Sequence, residues 1–192
     1  HLLAVEIPVG EVRSERQQRV ELPAALTKGD RGRSMLLPRR LLPVFDGYID
    51  VERAAAVAKF AQRRGWEAID RPIFIHRPSF GPRALYLVGG GTMDMEVVTP
   101  DERTRLVICA DDGTPREAAV LWLTEVGHPG LPNSWEAIFA RASRRCTDAG
   151  IPVRVSPHQL RHSFAVHMLA MLIQRRLADA AAPVGAMEGY RQ

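Results

Sequence analysis

Cysteine is scarce in this chain. Cys109 and Cys146 are the two among 192 residues, and they lie far apart. That spacing excludes a disulfide framework and a thiolate zinc site, and it fits a reducing cytoplasm. Lysine is equally rare: Lys28 and Lys59 stand alone among 26 basic residues. No apolar run reaches membrane-spanning length and no signal peptide is visible, so no membrane association is expected. The sequence also lacks an initiating Met. It opens at His1, which suggests an excised piece or an incomplete reading frame.

What is present is ordinary for a folded protein. Hydrophobic residues make up 46% and charged residues 25% of the chain, enough for one sizeable buried core. The net charge is +4. Arginine carries almost all of the positive charge, and its bidentate fork leans toward phosphate and nucleic acid. A GC-rich coding bias accounts for the same composition, so charge alone does not choose a function.

Secondary structure can be read from punctuation and periodicity. In "RQQRVELPAALTKGDRGRSMLLP", Val20 and Leu22 alternate with polar neighbours, as do Met35 and Leu37, and "TKGDRG" supplies a turn. A β-hairpin over 17–38 is expected. A helical pattern runs from Arg39 to Phe60, bent or restarted at Pro43 and stopped at Gly65. Residues 71–100 mix short apolar runs with Pro and Gly, which predicts short strands or an irregular excursion. "RLVICA" (105–110) and "AAVLWL" (118–123) read as strands on either side of an Asp112-Gly113 turn. The alternative is a single helix over "REAAVLWLTE".

Toward the C-terminus two helices are expected within 133–181. Asn133 and Glu136 suggest a capping box for the first, with Gly150 beyond its end. Ser156 as N-cap and Pro157 at the first helical position open the second. Leu160, Phe164, Met168 and Leu172 predict a buried stripe along it. The tail 182–192 reads as loose.

The chemistry concentrates in "SPHQLRHSF" (156–164). On a helix, His158 and Arg161 lie about 60° apart and His158 and His162 about 40° apart, while His167 points elsewhere. Three uses compete. His158 and His162 have the i, i+4 spacing of a metal pair, but Gln159 stands where a zinc peptidase needs glutamate, Arg161 would repel a dication, and there is no obvious third ligand. A polar helix start is also common without any function. The third use is a phosphate clamp, in which Arg161 supplies a fork and His158 a hydrogen bond or proton.

The flanking residues speak to that choice. "PHQLRHSFA", Pro157 through Ala165, resembles the His-x-x-Arg box of the tyrosine recombinase (phage integrase) family, non-catalytic positions included. "TKGDRGRSMLLP" is similar to the hairpin that carries the family's lysine, and "GLPNSWEAIFARASRRC" resembles the helix ahead of the box. The order of elements fits from residue 17 to about residue 175, and the middle third carries no recognisable motif.

The resemblance implies an α+β fold, mainly helical with a small antiparallel β-sheet, of the DNA breaking-rejoining type. The chain as a whole is then a partial catalytic domain. It implies that His158 and Arg161 hold the scissile phosphate, that Lys28 protonates the departing 5′ oxygen, and that Arg31 and Arg33 touch the DNA backbone. His162 would be a supporting neighbour. No cofactor or metal is implied. Duplex DNA is the implied partner, bound by a tetramer in the complete protein.

Two parts of that machine are not recognisable. The family's first arginine belongs to a Gly-x-Arg-x-x-Glu stretch. "HLLAVEIP" resembles the segment directly after that stretch, and Arg13 and Arg16 come too late. The tyrosine nucleophile should come after a Gly-His pair, yet Gly127-His128 precedes the box and reads as a loop. Tyr190 is the one tyrosine after Arg161, without the expected residues ahead of it. The expectation is a chain truncated at both ends, inactive alone, with the nucleophile elsewhere.

Overall fold

The structure, a computed structural model, describes residues 2–7, 17–27, 29, 31–79 and 82–181. Lys28, Arg13, Arg16 and Tyr190 lie outside the described residues, as does the tail 182–192. The chain divides into two compact units, His1–Gly130 and Leu131–Gln192, each taken by itself below.

The first unit opens with an antiparallel pair. Strand β1 (Gln17–Leu22) pairs with β2 (Arg33–Pro38), and Val20 lies opposite Met35. Alternation buries Val20 and Leu37 on one face, leaving Arg19, Glu21 and Leu36 on the other. A single 3₁₀ turn, Arg39–Leu41, leads into a helical run. It comprises α1 (Leu42–Gly47), a wider π turn (Tyr48–Arg53) and α2 (Ala54–Gln62). Pro43 lies where the run restarts as an α-helix after the 3₁₀ turn. It sits in the first turn of α1, where a missing N–H costs nothing.

The end of α2 differs from the sequence reading. Arg64, not Gly65, takes the left-handed conformation that reverses the chain, at φ 52°. Gly65 serves another purpose: a Cβ there would collide with the Phe60 ring. Gly127 is constrained twice, by a φ of 86° and by contact with Phe60 Cβ and the Ala56 carbonyl.

Strands β3 (Ile73–His76), β4 (Ala84–Tyr86) and β5 (Thr92–Asp94) lie in the stretch read as short strands or an irregular excursion, and they are the short strands of that reading. Helix α3 (Pro100–Arg105) comes next, opened by a capping box between Thr99 and Glu102. Strand β6 (Leu106–Cys109) is buried at every residue, as a strand covered on both faces must be. It pairs in parallel with β3 and antiparallel with β7 (Pro115–Ala118).

The mixture of helices and small sheets is α+β. The expected small antiparallel sheet is in fact three sheets among the described residues, one of them with a parallel pair. The last strand also lies earlier than expected, at 115–118 rather than 118–123, with an irregular path beyond it.

The core of this unit has three parts. Leu3, Ile75, Leu85, Leu106, Ile108 and Val120 form the largest. Val107, on the opposite face of β6 from Leu106 and Ile108, packs with Phe60 and Ala118. Ile7, Val20, Leu37, Leu42 and Leu121 form the third, with Trp122 against the rings of Phe45 and Tyr48.

Two buried arginines tie the parts together. Arg53 meets Glu117 at 2.5 Å and donates to the Ala118 and Val120 carbonyls. Arg103, wholly buried, donates through Nη1 to both Glu6 carboxylate oxygens at 2.9 Å. Arg53 Nε is buried without a partner, and removing one member of such a pair costs about 3–5 kcal/mol.

The second unit holds α4 (Pro132–Asp148) and α5 (Pro157–Ala181). The expected capping box at Asn133 and Glu136 does not form. Leu131 is the N-cap, without a side-chain bond, and Pro132 takes the first helical turn. Gly150 closes α4 at φ 76°. Its N–H reaches the Thr147 carbonyl, and the Ile151 N–H reaches Cys146. That is a Schellman closure, satisfying carbonyls the helix leaves bare.

Helix α5 begins where expected and runs at least to Ala181. The buried stripe does not exist. Leu160 is 50% exposed, Phe164 66%, Met168 37% and Leu172 55%. A stripe is buried only where another element covers it, and Val166, Leu169, Ile173 and Leu177 are exposed on the other faces as well. Within this unit α4 and the opening residues of α5, up to Gln159, line one groove. No helix among the described residues is long and apolar enough to cross a membrane.

Candidate nucleic-acid interface

The box lies at the start of α5. Ser156 accepts the Gln159 N–H on Oγ at 3.2 Å, and its carbonyl accepts the Leu160 N–H at 3.0 Å. This cap fixes where the helix starts, and so fixes the faces on which His158 and Arg161 project. Both are exposed, and neither hydrogen-bonds or ion-pairs among the described residues. One helical turn separates them, a rise of about 4.5 Å. Two basic side chains on one side of a helix opening can share one anion, aided by the positive end of the helix dipole. His162 and His167 are exposed farther along α5.

The approach to α5 is braced by one serine. Ser143 Oγ, on α4, accepts the Val155 N–H at 2.9 Å. The same hydroxyl lies 2.9 Å from the Phe139 carbonyl and 3.2 Å from the Val155 carbonyl, competing acceptors for its one proton. The segment entering α5 is thereby pinned to α4. Between them runs an open groove of about 730 Å³, lined by Ser143, Arg144, Asp148, Arg154 and His158 among others.

The hairpin residues belong to the first unit. Lys28 lies outside the described residues, but its neighbours define the connection between β1 and β2. Thr27 Oγ1 reaches the carbonyls of Ala24 and Arg31, and Gly29 takes a φ of 84°. Arg31 and Arg33 are exposed, and Ser34 donates to Glu21 across the pair. The lysine-bearing turn and the box thus belong to different units.

Other candidates resolve as structure. His128 sits in a tight loop: its N–H reaches Thr124 Oγ1, its carbonyl accepts the Thr124 N–H, and its ring packs on the edge of Phe60. Tyr48 Oη accepts the Leu123 N–H at 3.0 Å, so this phenol is occupied in the core. The thiol of Cys109 is buried, which together with Asp112 pushes its pKa up and keeps it inert.

Sequence reasoning missed Arg144 and Arg154 on the groove walls. A lone arginine in "IPVRVSP" carries no spacing signal, and its place on the groove wall comes from the Ser143 brace to Val155.

Over part of its length the chain is similar to the tyrosine recombinases. The match is to the tyrosine recombinase XerC of Ralstonia pickettii (strain 12J), 35% identical over 79 residues. Those residues are 41% of this chain and 23% of that protein, so the match spans less than a quarter of the relative's length. No protein-family model matches the chain, and no solved structure matches it.

Proposed function

We propose that this chain supplies part of a tyrosine recombinase catalytic domain and acts in site-specific DNA strand breakage and rejoining. The supporting observation is the Ser156-capped opening of α5, which projects His158 and Arg161 unpaired from one side of the helix. The partial likeness to a tyrosine recombinase supports the same reading.

In this scheme a tyrosine oxygen attacks a phosphorus of duplex DNA. The bond to the 5′ oxygen breaks, a 3′-phosphotyrosyl link forms, and a later attack by a 5′ hydroxyl reverses the exchange. Arg161 and His158 stabilise the charge on the phosphate oxygens. Lys28 gives its proton to the departing 5′ oxygen, and Arg31 and Arg33 meet the neighbouring backbone. The scheme uses no cofactor. The complete enzyme works as a homo-oligomer on DNA in the cytoplasm, a compartment that suits two free thiols.

A trapping assay on nicked duplex DNA tests this. The chain alone is expected to bind without forming a covalent adduct, because it carries no recognisable first arginine and no tyrosine in the expected setting. An adduct lost on Tyr190→Phe would overturn that and make Tyr190 the nucleophile. In the complete enzyme, Arg161→Ala is expected to weaken binding modestly and abolish cleavage.

A second reading, a non-catalytic DNA-binding or interaction module, is favoured by the apolar side chains that α5 exposes. It requires that Arg161→Ala leave cleavage unchanged.

A further inference from the structure

The groove between α4 and the opening of α5 is unevenly charged. Its carboxylates, Glu136 and Asp148, both belong to α4, in the second turn and at the last residue. Arg144 lies on the same wall, one turn before Asp148. The opposite wall, from Arg154 to Gln159, carries Arg154 and His158 and no acid. Arg154 is exposed and makes no ion pair among the described residues. Its backbone is nevertheless held, because the next residue, Val155, is pinned to Ser143 through its N–H and lies close to the same hydroxyl through its carbonyl. A long cation on a braced segment is already positioned when an anion arrives, so less ordering entropy is lost on binding.

We propose that Arg154 is a phosphate-positioning residue: it holds the DNA phosphate next to the one gripped by His158 and Arg161, and so sets the backbone along the α5 wall of the groove. This rests on the reading of the site as a DNA phosphate clamp. The α4 carboxylates repel the backbone from the opposite wall and give the track one side. Arg154 is four residues ahead of His158 and precedes the helix, so it reaches a different phosphate from the one Arg161 faces. Its contribution is sequence-independent, since phosphate contacts fix register and carry no base information.

The test is the salt dependence of duplex DNA binding by this chain, measured by fluorescence anisotropy for the parent, Arg154→Gln, Arg154→Lys and Arg175→Gln. Arg175 lies on α5, about 25 Å along the helix from His158, so its loss changes net charge equally without touching the groove. The expected result is that Arg154→Gln lowers the slope of log affinity against log salt by about 0.9, one phosphate's worth. Arg154→Lys keeps the slope, and Arg175→Gln leaves it at the parent value. An unchanged slope for Arg154→Gln overturns the assignment. So does an equal loss from Arg175→Gln, which would reduce the effect to net charge. Failure of the parent chain to bind DNA in a salt-dependent way sinks the clamp reading itself, a result distinct from both.

Discussion

The two units solve opposite problems with the same amino acids. In Leu3, Phe60, Leu85, Leu106 and Leu121 the first unit buries apolar side chains completely or nearly so, and it pairs its buried Arg53 and Arg103 with carboxylates and carbonyls, with Arg53 Nε left without a partner. In the second unit no described residue is buried, and α5 exposes Phe164, Leu169 and Leu177. The first unit is held by burial. The second is held by local devices: the Ser156 cap, the Schellman closure at Gly150 and the Ser143 brace. His158 and Arg161 belong to the unit whose described residues form no core, so their geometry depends on hydrogen bonds worth about 1 kcal/mol each.

The contrast is sharpest between two phenylalanines. Phe60→Ala is expected to cost about 3–5 kcal/mol, through lost transfer energy and a cavity beneath Trp66 and Val107. Phe164→Ala is expected to change stability by no more than about 0.5 kcal/mol, as at other exposed positions. Thermal or denaturant unfolding reads both. A comparable loss from Phe164→Ala would mean that α5 is covered in solution and would erase the contrast.

Next in size is the cap. Ser156→Ala is expected to cost about 1 kcal/mol of helix stability. Faster amide exchange should be confined to the first turn of α5, with β6 unaffected. Exchange rising equally in both units would show that they unfold together.

The smallest effect is electrostatic and belongs to the first unit. The Thr99 N–H and hydroxyl hold Glu102 below the usual carboxylate range, with help from Arg105. A carboxylate lowered on folding stabilises the native state above its unfolded pKa, and loses that contribution as pH falls through the folded one. Acidification below the ordinary glutamate range should therefore loosen α3 slightly. Glu102→Gln should remove that pH response, readable as a flatter unfolding midpoint between neutral and acidic buffer.

Where local chemistry governs, the sequence is readable. The run "LVIC", the Asp112-Gly113 turn and the Ser156-Pro157 helix start all lie where their residue types demand. Three features depend on packing that residue type does not encode, and they are illegible for that reason. Strand β7 includes Glu117, which reads as solvated but is buried because Arg53 and Arg77 meet it. Gly65 reads as a helix stop, and its role is to make room for Phe60. The apolar period of α5 reads as a buried stripe, and period alone says nothing about whether a partner is present to cover it. The box is legible from residue identity, whereas Arg154 acquires meaning only from the brace to Ser143.

The segment at residues 2–7 carries a consequence for how the chain acquires its form. Leu3 bridges to Val120, the Ala4 N–H reaches the Ala119 carbonyl, the Leu121 N–H reaches Leu2, and Glu6 receives Arg103. Each of these links spans roughly a hundred residues or more, and contacts so distant in sequence form late and slow folding. During synthesis residues 2–7 must therefore wait, with Leu3 and Ile7 unburied, until residue 121 has cleared the ribosome. Assembly of the first unit is a closing event, completed from its far end.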